Sequence, residues 1–313
     1  MLTRHSVRAI GSLALVMAAF ASSLRAAEEG AEEGYDVIPD QVYVERESGP
    51  LKADMYVPQG DGPFPAMLVV HGGAWATGTK QQLAGIAQGL ARQGFTAAAI
   101  SYRLAPQDKF PAQVYDCQAA VRWLRANAAK FKLDPNHIGG YGYSAGGHLV
   151  AMLGALDDDD FQEPGLAKDL PSARLQVVVA GGAPCDFQLM PADNGRLSYW
   201  LGGTRNEQPD AYRDASPANY ISADDPPMFF FHGEDDDIVP IRSPQRMAEL
   251  LKKAGVPAEF HPIPKAGHMG AVVDRDAMLA ALAFVNRNLK DAPAQSVVGK
   301  NAPQSESDAV HGQ

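Results

Sequence analysis

The sequence predicts an α/β fold, with a mostly parallel central sheet covered by helices on both faces. Three observations carry that expectation. Short unbroken apolar runs such as "PAMLVVH" (65–71) and "GFTAAAISY" (94–102) have the composition of strands buried on both sides. Between such runs lie segments with apolar residues three and four apart, as Val114, Cys117, Val121 and Leu124 are, which is helical spacing. The chain is also rich enough in core material, 46% hydrophobic with 12 Phe, 10 Tyr and 3 Trp in 313 residues, to exclude wholesale disorder.

The elements follow in order. "MLTRHSVRAIGSLALVMAAFASS" places Arg4 and Arg8 before an apolar run over 9–20 and then small residues, the outline of a secretory signal peptide over 1–27. The alternative is a buried N-terminal helix; the run is shorter than the about 20 residues a membrane span needs. Cleavage after Ser23, Ala26 or Ala27 fits equally, and no later segment is apolar enough to cross a bilayer. The expectation is an exported protein, periplasmic or secreted, soluble once cleaved.

"YDVIPDQVYVE" and "LKADMYVP" read as two early strands around a turn at Gly49-Pro50. The runs at 65–71 and 94–102 are the next two, followed by a helix from about Pro111 to Lys130. "HIGGYGY" is a strand and "SAGGHLVAMLGAL" the helix after it; "LQVVVAGG", "PMFFFHG" and "AEFHPI" are three more strands. "SPQRMAELLKKAG" and "DRDAMLAALAFVNRNLK" supply helices around the last strand. Residues 183–227, rich in Pro, Asp, Asn and Gly, form an insertion long enough to overhang a site as a partial lid. From Asp291 periodicity is lost and a flexible tail (291–313) is expected, leaving one catalytic domain over 28–290.

A net charge of −10 argues against a nucleic-acid partner, because phosphate binding needs a basic face. There is no Cys/His cluster of metal-binding type and no glycine-rich phosphate loop, so neither metal nor organic cofactor is called for. Cys117 and Cys185 allow one disulfide; the helical apolar setting of Cys117 favours a buried free thiol instead.

"GGYGYSAGGHLV" (139–150) holds the chemistry. Gly142, Tyr143, Ser144, Ala145 and Gly146 match G-x-S-x-G where a strand gives way to a helix, the setting of a nucleophile elbow. The alternative is a serine that merely caps the helix. A serine nucleophile needs an imidazole to take its proton. Of eight histidines, His5 and His311 fall in the terminal segments, His137 begins the strand leading to Ser144, and His148 lies within the serine's own helix. His71 and His232 end strands, where packing roles are expected. His261 lies inside "AEFHPI", whereas His268 stands in "KAGHMGAVV" just past that strand's end, where such sheets hold their chemistry. His268 is therefore the expected base. The orienting acid must come from "HGEDDDIVP" (232–240), where Glu234, Asp235, Asp236 and Asp237 all stand and composition does not choose among them. One oxyanion donor is the N–H after the nucleophile, that of Ala145; others are expected from "HGGAW" (71–75).

Together "HGGAW", "SYRLAP", "KFPAQVYDC", "GYSAG", "HGEDDDIVP" and "GH" resemble the BD-FAE-like and hormone-sensitive-lipase-like branch of the α/β-hydrolase superfamily, over about residues 40–290. The resemblance implies the α/β-hydrolase fold and a serine carboxylesterase. Its H-G-x-x-D-x-x-V-P turn implies Asp236 as the acid, and its HGGG-type loop implies the N–H groups of Gly73 and Ala74 as oxyanion donors. Ala74 replaces a glycine there, which a positive φ would penalise. Too few mature residues precede the first strand for the helical cap of the lipase branch, which points to the BD-FAE side and to acetyl or feruloyl esters, small or borne on polysaccharide. Trp75 and Met269 flank the catalytic loops and either line the pocket or pack. The rivals are a peptidase of prolyl-oligopeptidase type, which would need a propeller domain, and a non-catalytic binder on the same fold, which the retained Ser144, Asp236 and His268 disfavour.

Overall fold

A computed structural model describes residues 34–167 and 170–291. The expected signal peptide, and the tail beyond residue 291, lie outside the described residues. Eight strands form one sheet in the order β1-β2-β4-β3-β5-β6-β7-β8. β1 (Tyr35–Arg46) and β2 (Gly49–Pro58) make an antiparallel hairpin whose register closes at Arg46 and Gly49. β2 also runs antiparallel to β4 (Thr96–Ile100). From β4 onward, β3 (Phe64–Val70), β5 (Leu133–Tyr143), β6 (Val178–Gly181), β7 (Met228–Gly233) and β8 (Ala258–Ile263) are parallel.

The apolar runs are explained by position. β4 lies between β2 and β3 and buries all five of its residues; β3 buries Ala66 through Val70. Because side chains alternate along a strand, Leu68 and Val70 join the core on one face while Met67 and Val69 join the core on the other. The first face packs against α2 (Ala112–Ala126), α3 (Ala145–Ala155) and α6 (Arg242–Lys253); the second carries α1 (Ala84–Arg92) and α8 (Arg275–Val285). Two short helices, α4 (Ser198–Leu201) and α5 (Pro209–Asp214), stand in the insertion, and α7 (His268–Ala271) follows β8.

α1 had no counterpart in the sequence reading. It supplies the crossover that a parallel β3–β4 pair requires, and it buries Ala87, Leu90 and Ala91. Gly85 and Gly89 interrupt its apolar pattern, which weakens the signal that the spacing would otherwise give. The helix expected to Lys130 ends at Ala126. Cys117 and Cys185 are both free and buried. Among the described residues no helix is long and apolar enough to cross a membrane, and no group of three His, Cys, Asp or Glu is placed to hold a metal ion.

One buried charge ties the antiparallel edge to the parallel sheet. Asp116 on α2 has a fully buried side chain, and it accepts from Arg46 Nε of β1 at 2.9 Å and from Arg103 Nε at 2.9 Å. It also accepts the backbone N–H of Arg103 at 2.9 Å. Removing the carboxylate takes the buried partner from both guanidinium groups and leaves Arg46 with Glu163 and Arg103 with Asp108 and the Ala112 carbonyl; breaking a buried pair costs about 3–5 kcal/mol. Asp116→Ala should therefore lower the melting temperature by roughly 6–15 °C. A thermal melt within about 2 °C of wild type would show that the network contributes no net stability.

Candidate active site

β5 ends at Tyr143 and α3 begins at Ala145, so Ser144 alone makes the turn. Its φ of 55° and ψ of −119° lie outside the left-handed helical well, a conformation that costs of order 1–3 kcal/mol. Two flanking glycines make the turn possible. A Cβ on Gly146 would come within 2.0 Å of the Val70 carbonyl oxygen, and one on Gly142 within 2.2 Å of the Gly146 oxygen. The Ser144 N–H is held by Gly181 O of β6 at 2.8 Å.

His268 reaches the serine from the first residue of α7. Its Nε2 lies 2.9 Å from Ser144 Oγ and its Nδ1 2.6 Å from Asp236 Oδ2. With Nδ1–H donating to the carboxylate, Nε2 presents its lone pair to the serine hydroxyl, which donates. The Tyr143 hydroxyl donates to the carbonyl of His268 and steadies the turn that carries it. Of the four carboxylates in the 234–237 loop, it is Asp236 that reaches the histidine; Glu234, Asp235 and Asp237 are exposed. The reason is the turn itself, because Asp236 Oδ1 accepts the N–H groups of Ile238 and Val239, each at 2.9 Å, and that aims Oδ2 inward. Burial alone would raise the Asp236 pKa, but hydrogen bonds from His232, His268 and the Val239 N–H outweigh it and hold the carboxyl well below the usual range. His261 stays in β8 with its ring on Phe229, away from this line.

The loop after β3 lies against the elbow. Gly73, Ala74 and Trp75 have φ of 109°, 52° and 58°. The penalty foreseen for Ala74 is real but modest, since that φ falls in the small left-handed region open to non-glycine residues at roughly 1–2 kcal/mol. The peptide groups carrying the Gly73 and Ala74 N–H are each pinned through their carbonyls. Gly72 O accepts from His71 Nδ1 at 2.7 Å, and Gly73 O accepts from the N–H groups of Ala76 and Thr77 at 3.0 Å. His71 stacks on Tyr102 at 4.2 Å, and burial pushes its pKa down to about 4 against the opposing bond to Gly72, so it is a neutral donor. The N–H of Ala145 opens α3 and has no partner within the helix.

Trp75 does not line a pocket, which corrects one of the two roles foreseen for it. It is 3% exposed and stacks face to face on Trp200 of the insertion at 3.8 Å, with Phe187 against both rings. Its Nε1 donates to His148 Nδ1 at 3.3 Å, while His148 Nε2 donates to Ala215 O at 2.7 Å. Burial lowers the His148 pKa to about 4, keeping that acceptor free of a proton. Tyr199 donates its hydroxyl to Ala74 O at 2.5 Å. The 183–227 insertion thus grips the 71–75 loop through its aromatic residues. Sequence reasoning missed Tyr199, and no local pattern marks it. Met269, beside His268, is 71% exposed and free to meet a ligand.

This arrangement has the parts of a nucleophilic triad: a strained serine, an imidazole with a fixed tautomer and a buried carboxylate. Comparisons with known proteins show what the whole chain is similar to. The BD-FAE family model matches residues 53–251. The probable carboxylic ester hydrolase LipM of Mycobacterium tuberculosis is 31% identical over 66% of this chain and 49% of its own length. The chain therefore spans about half the length of that relative. Among solved structures, a truncated carbohydrate esterase from gut microbiota superposes with a TM-score of 0.73 at 27% identity, over 83% of this chain and 98% of that one. Esterase Est2 of Thermogutta terrifontis, also 27% identical, has a TM-score of 0.69 over 81% of this chain and 92% of its own. Further structures hold Est2 with propionate or butyrate bound, or phosphonylated by sarin.

Two single-methyl changes test the elbow and the loop in opposite directions. Gly146→Ala forces a methyl group into the Val70 carbonyl and should destabilise the protein by more than about 3 kcal/mol in a denaturant titration. Ala74→Gly removes a methyl from a left-handed residue and should stay within about 1 kcal/mol of wild type. A stable Gly146→Ala protein would mean that the elbow has room that its backbone geometry denies.

Proposed function

The chain belongs to the BD-FAE family, and on that footing we propose that it is an exported serine carboxylesterase acting on short-chain or aromatic acyl esters, of acetyl or feruloyl type, including esters borne on polysaccharide. The observation that carries the reading is the continuous hydrogen-bonded line from Asp236 through His268 to Ser144 Oγ. In the proposed reaction Ser144 Oγ attacks the ester carbonyl as its proton passes to His268 Nε2. Asp236, held ionised, stabilises the imidazolium. The tetrahedral oxyanion is met by the N–H groups of Gly73, Ala74 and Ala145, each worth on the order of 3 kcal/mol. Collapse breaks the bond to the alcohol, which leaves with the proton from His268. Water, deprotonated by the same nitrogen, then attacks the acyl-enzyme, and the acid departs as Ser144 regains its proton.

The substrate class draws on three observations. Est2 is seen with propionate and butyrate, and the similar protein from gut microbiota is a carbohydrate esterase. Trp75, Phe187 and Trp200 bury their rings against one another instead of offering them to a long acyl chain. Each methylene gains about 0.8 kcal/mol only where it is buried, so chain length should stop mattering early. Export rests on the signal-like 1–27 segment.

Ser144→Ala and His268→Ala should each lower kcat by about 10⁴ or more, whereas His261→Ala should stay within about tenfold. The reverse ranking of the two histidines would overturn the assignment of the base. On p-nitrophenyl esters from acetate to palmitate, assayed beside acetylated and feruloylated xylan, kcat/KM should peak at about two to four carbons or on the feruloyl ester. A value still climbing at about ten carbons would refute the substrate class while leaving the chemistry intact.

A further inference from the structure

We infer that His232 is a positioning residue for the Asp236–His268 pair: its Nε2–H shares the carboxylate oxygen that His268 uses, and so sets the pH at which His268 is freed to act as a base. The inference rests on the reading of Ser144, His268 and Asp236 given above. His232 is the last residue but one of β7, with its side chain fully buried, four residues before Asp236. Its Nε2 lies 2.9 Å from Val239 O, and since a carbonyl only accepts, that nitrogen carries the hydrogen. The same Nε2 is 3.1 Å from Asp236 Oδ2, the atom that receives His268 Nδ1 at 2.6 Å.

The other ring nitrogen makes the case sharper. His232 Nδ1 is buried with no hydrogen-bond partner among the described residues. An unpaired buried acceptor is a cost that an apolar residue would not carry. If β7 needed only a filled space at its end, a leucine or phenylalanine would fill it better. What the histidine adds is the Nε2–H directed at Val239 O and Asp236 Oδ2.

The consequence for the base follows from charge sharing. Asp236 Oδ1 accepts the Ile238 and Val239 N–H groups and Oδ2 accepts His268, while His232 Nε2, whose hydrogen bonds Val239 O, stands 3.1 Å from that same Oδ2. Every donor other than His268 drains charge from the carboxylate and weakens its hold on the imidazolium proton. The other groups facing the pair are few. Tyr143 of β5 has its ring 5.4 Å from that of His268, and burial pushes its hydroxyl well above the ordinary phenol range, so it stays neutral. The loop after β6 contributes Gly182, where an added Cβ would lie 3.2 Å from His268 Cε1. Glu234, Asp235 and Asp237 on the acid's loop, and Lys265 ahead of His268, are exposed.

The test compares His232→Leu, which removes the donor, with His232→Gln, whose amide nitrogen can restore it. The pH dependence of kcat/KM on p-nitrophenyl acetate is measured for both. The midpoint of the acid limb should move alkaline by about 0.5–1 pH unit in the leucine variant, and the glutamine variant should return it toward wild type with KM little changed in either. A folded leucine variant with the wild-type midpoint overturns the proposal. Should that variant not fold, nitrogen-15 histidine NMR on the Ser144→Ala protein decides. The His232 Nε2 proton should shift with the same midpoint as the His268 ring, because both lie on one oxygen; a signal that ignores the titration of His268 overturns the proposal. This measurement needs no turnover, so it stands apart from the esterase reading, which would fail instead if Ser144→Ala kept full activity.

Discussion

The closest approach in the molecule that the site depends on is between Gly146 and the end of β3. With no side chain, the first turn of α3 rests directly on the Val70 and His71 carbonyls, at a distance a methyl group could not share. That contact sets two things together. It fixes the start of α3 behind Ser144, and it brings the β3 loop beside the serine, where a Cβ on Gly72 would lie 3.3 Å from that of Ser144. β3 and β5 are adjacent strands in register at Val70 and Gly142, so the two loops emerge side by side from the same sheet edge. The acid and the histidine arrive from β7 and β8, a pair on the far side of β6. A parallel sheet thus gathers residues far apart in sequence at the carboxyl ends of its strands.

Much of this was legible before any coordinates, for physical reasons that differ from element to element. Strands β3, β4 and β7 are buried on both faces and so are written as unbroken apolar runs. Ser144 stood out because a sharp strand-to-helix turn can be written only with small neighbours. His268 was separable from His261 because a strand residue and a strand-end residue have different neighbours in the sequence. Asp236 was not separable from Asp235 and Asp237 on residue chemistry. What distinguishes it is the pair of backbone N–H groups at Ile238 and Val239, which composition does not record and only the resemblance of the whole turn implied. α1 escaped because Gly85 and Gly89 dilute its apolar face. Trp75 was ambiguous because a large aromatic beside a catalytic loop has the same letter whether it meets substrate or core. Tyr199 and His232 act through contacts of long range or shared acceptors, which leave no periodic trace.

Three non-glycine residues with positive φ converge here: Ser144, Ala74 and Trp75. Each is a conformation that an isolated chain would leave, at a cost of about 1–3 kcal/mol. The surroundings hold them by different means. Ser144 is held by backbone, through Gly181 O on its N–H and the start of α3 behind it. Ala74 and Trp75 are held by backbone, through Ala76 and Thr77 N–H on Gly73 O and Ala105 N–H on Trp75 O, and also by Tyr199, Phe187 and Trp200 of the 183–227 insertion. Its role in this structure is therefore closer to a clamp than to the overhanging lid its length suggested.

A clamp built this way constrains what the site can tolerate. Trp200 reaches across from α4 to stack on Trp75, and the insertion is itself anchored where Ser243 of α6 accepts the N–H groups of Cys185 and Asp186 at 2.8 and 2.9 Å. The 71–75 loop is thus coupled to α6, which packs under β7, the strand that precedes Asp236. His148 sits at the centre of that path, linking Trp75 to Ala215 through a ring that burial keeps unprotonated. Protonation would turn its Nδ1 from acceptor to donor and set two N–H groups against each other. Exposure is left to residues such as Met269, Val273 and Ile238, while the rings that hold the 71–75 loop are buried.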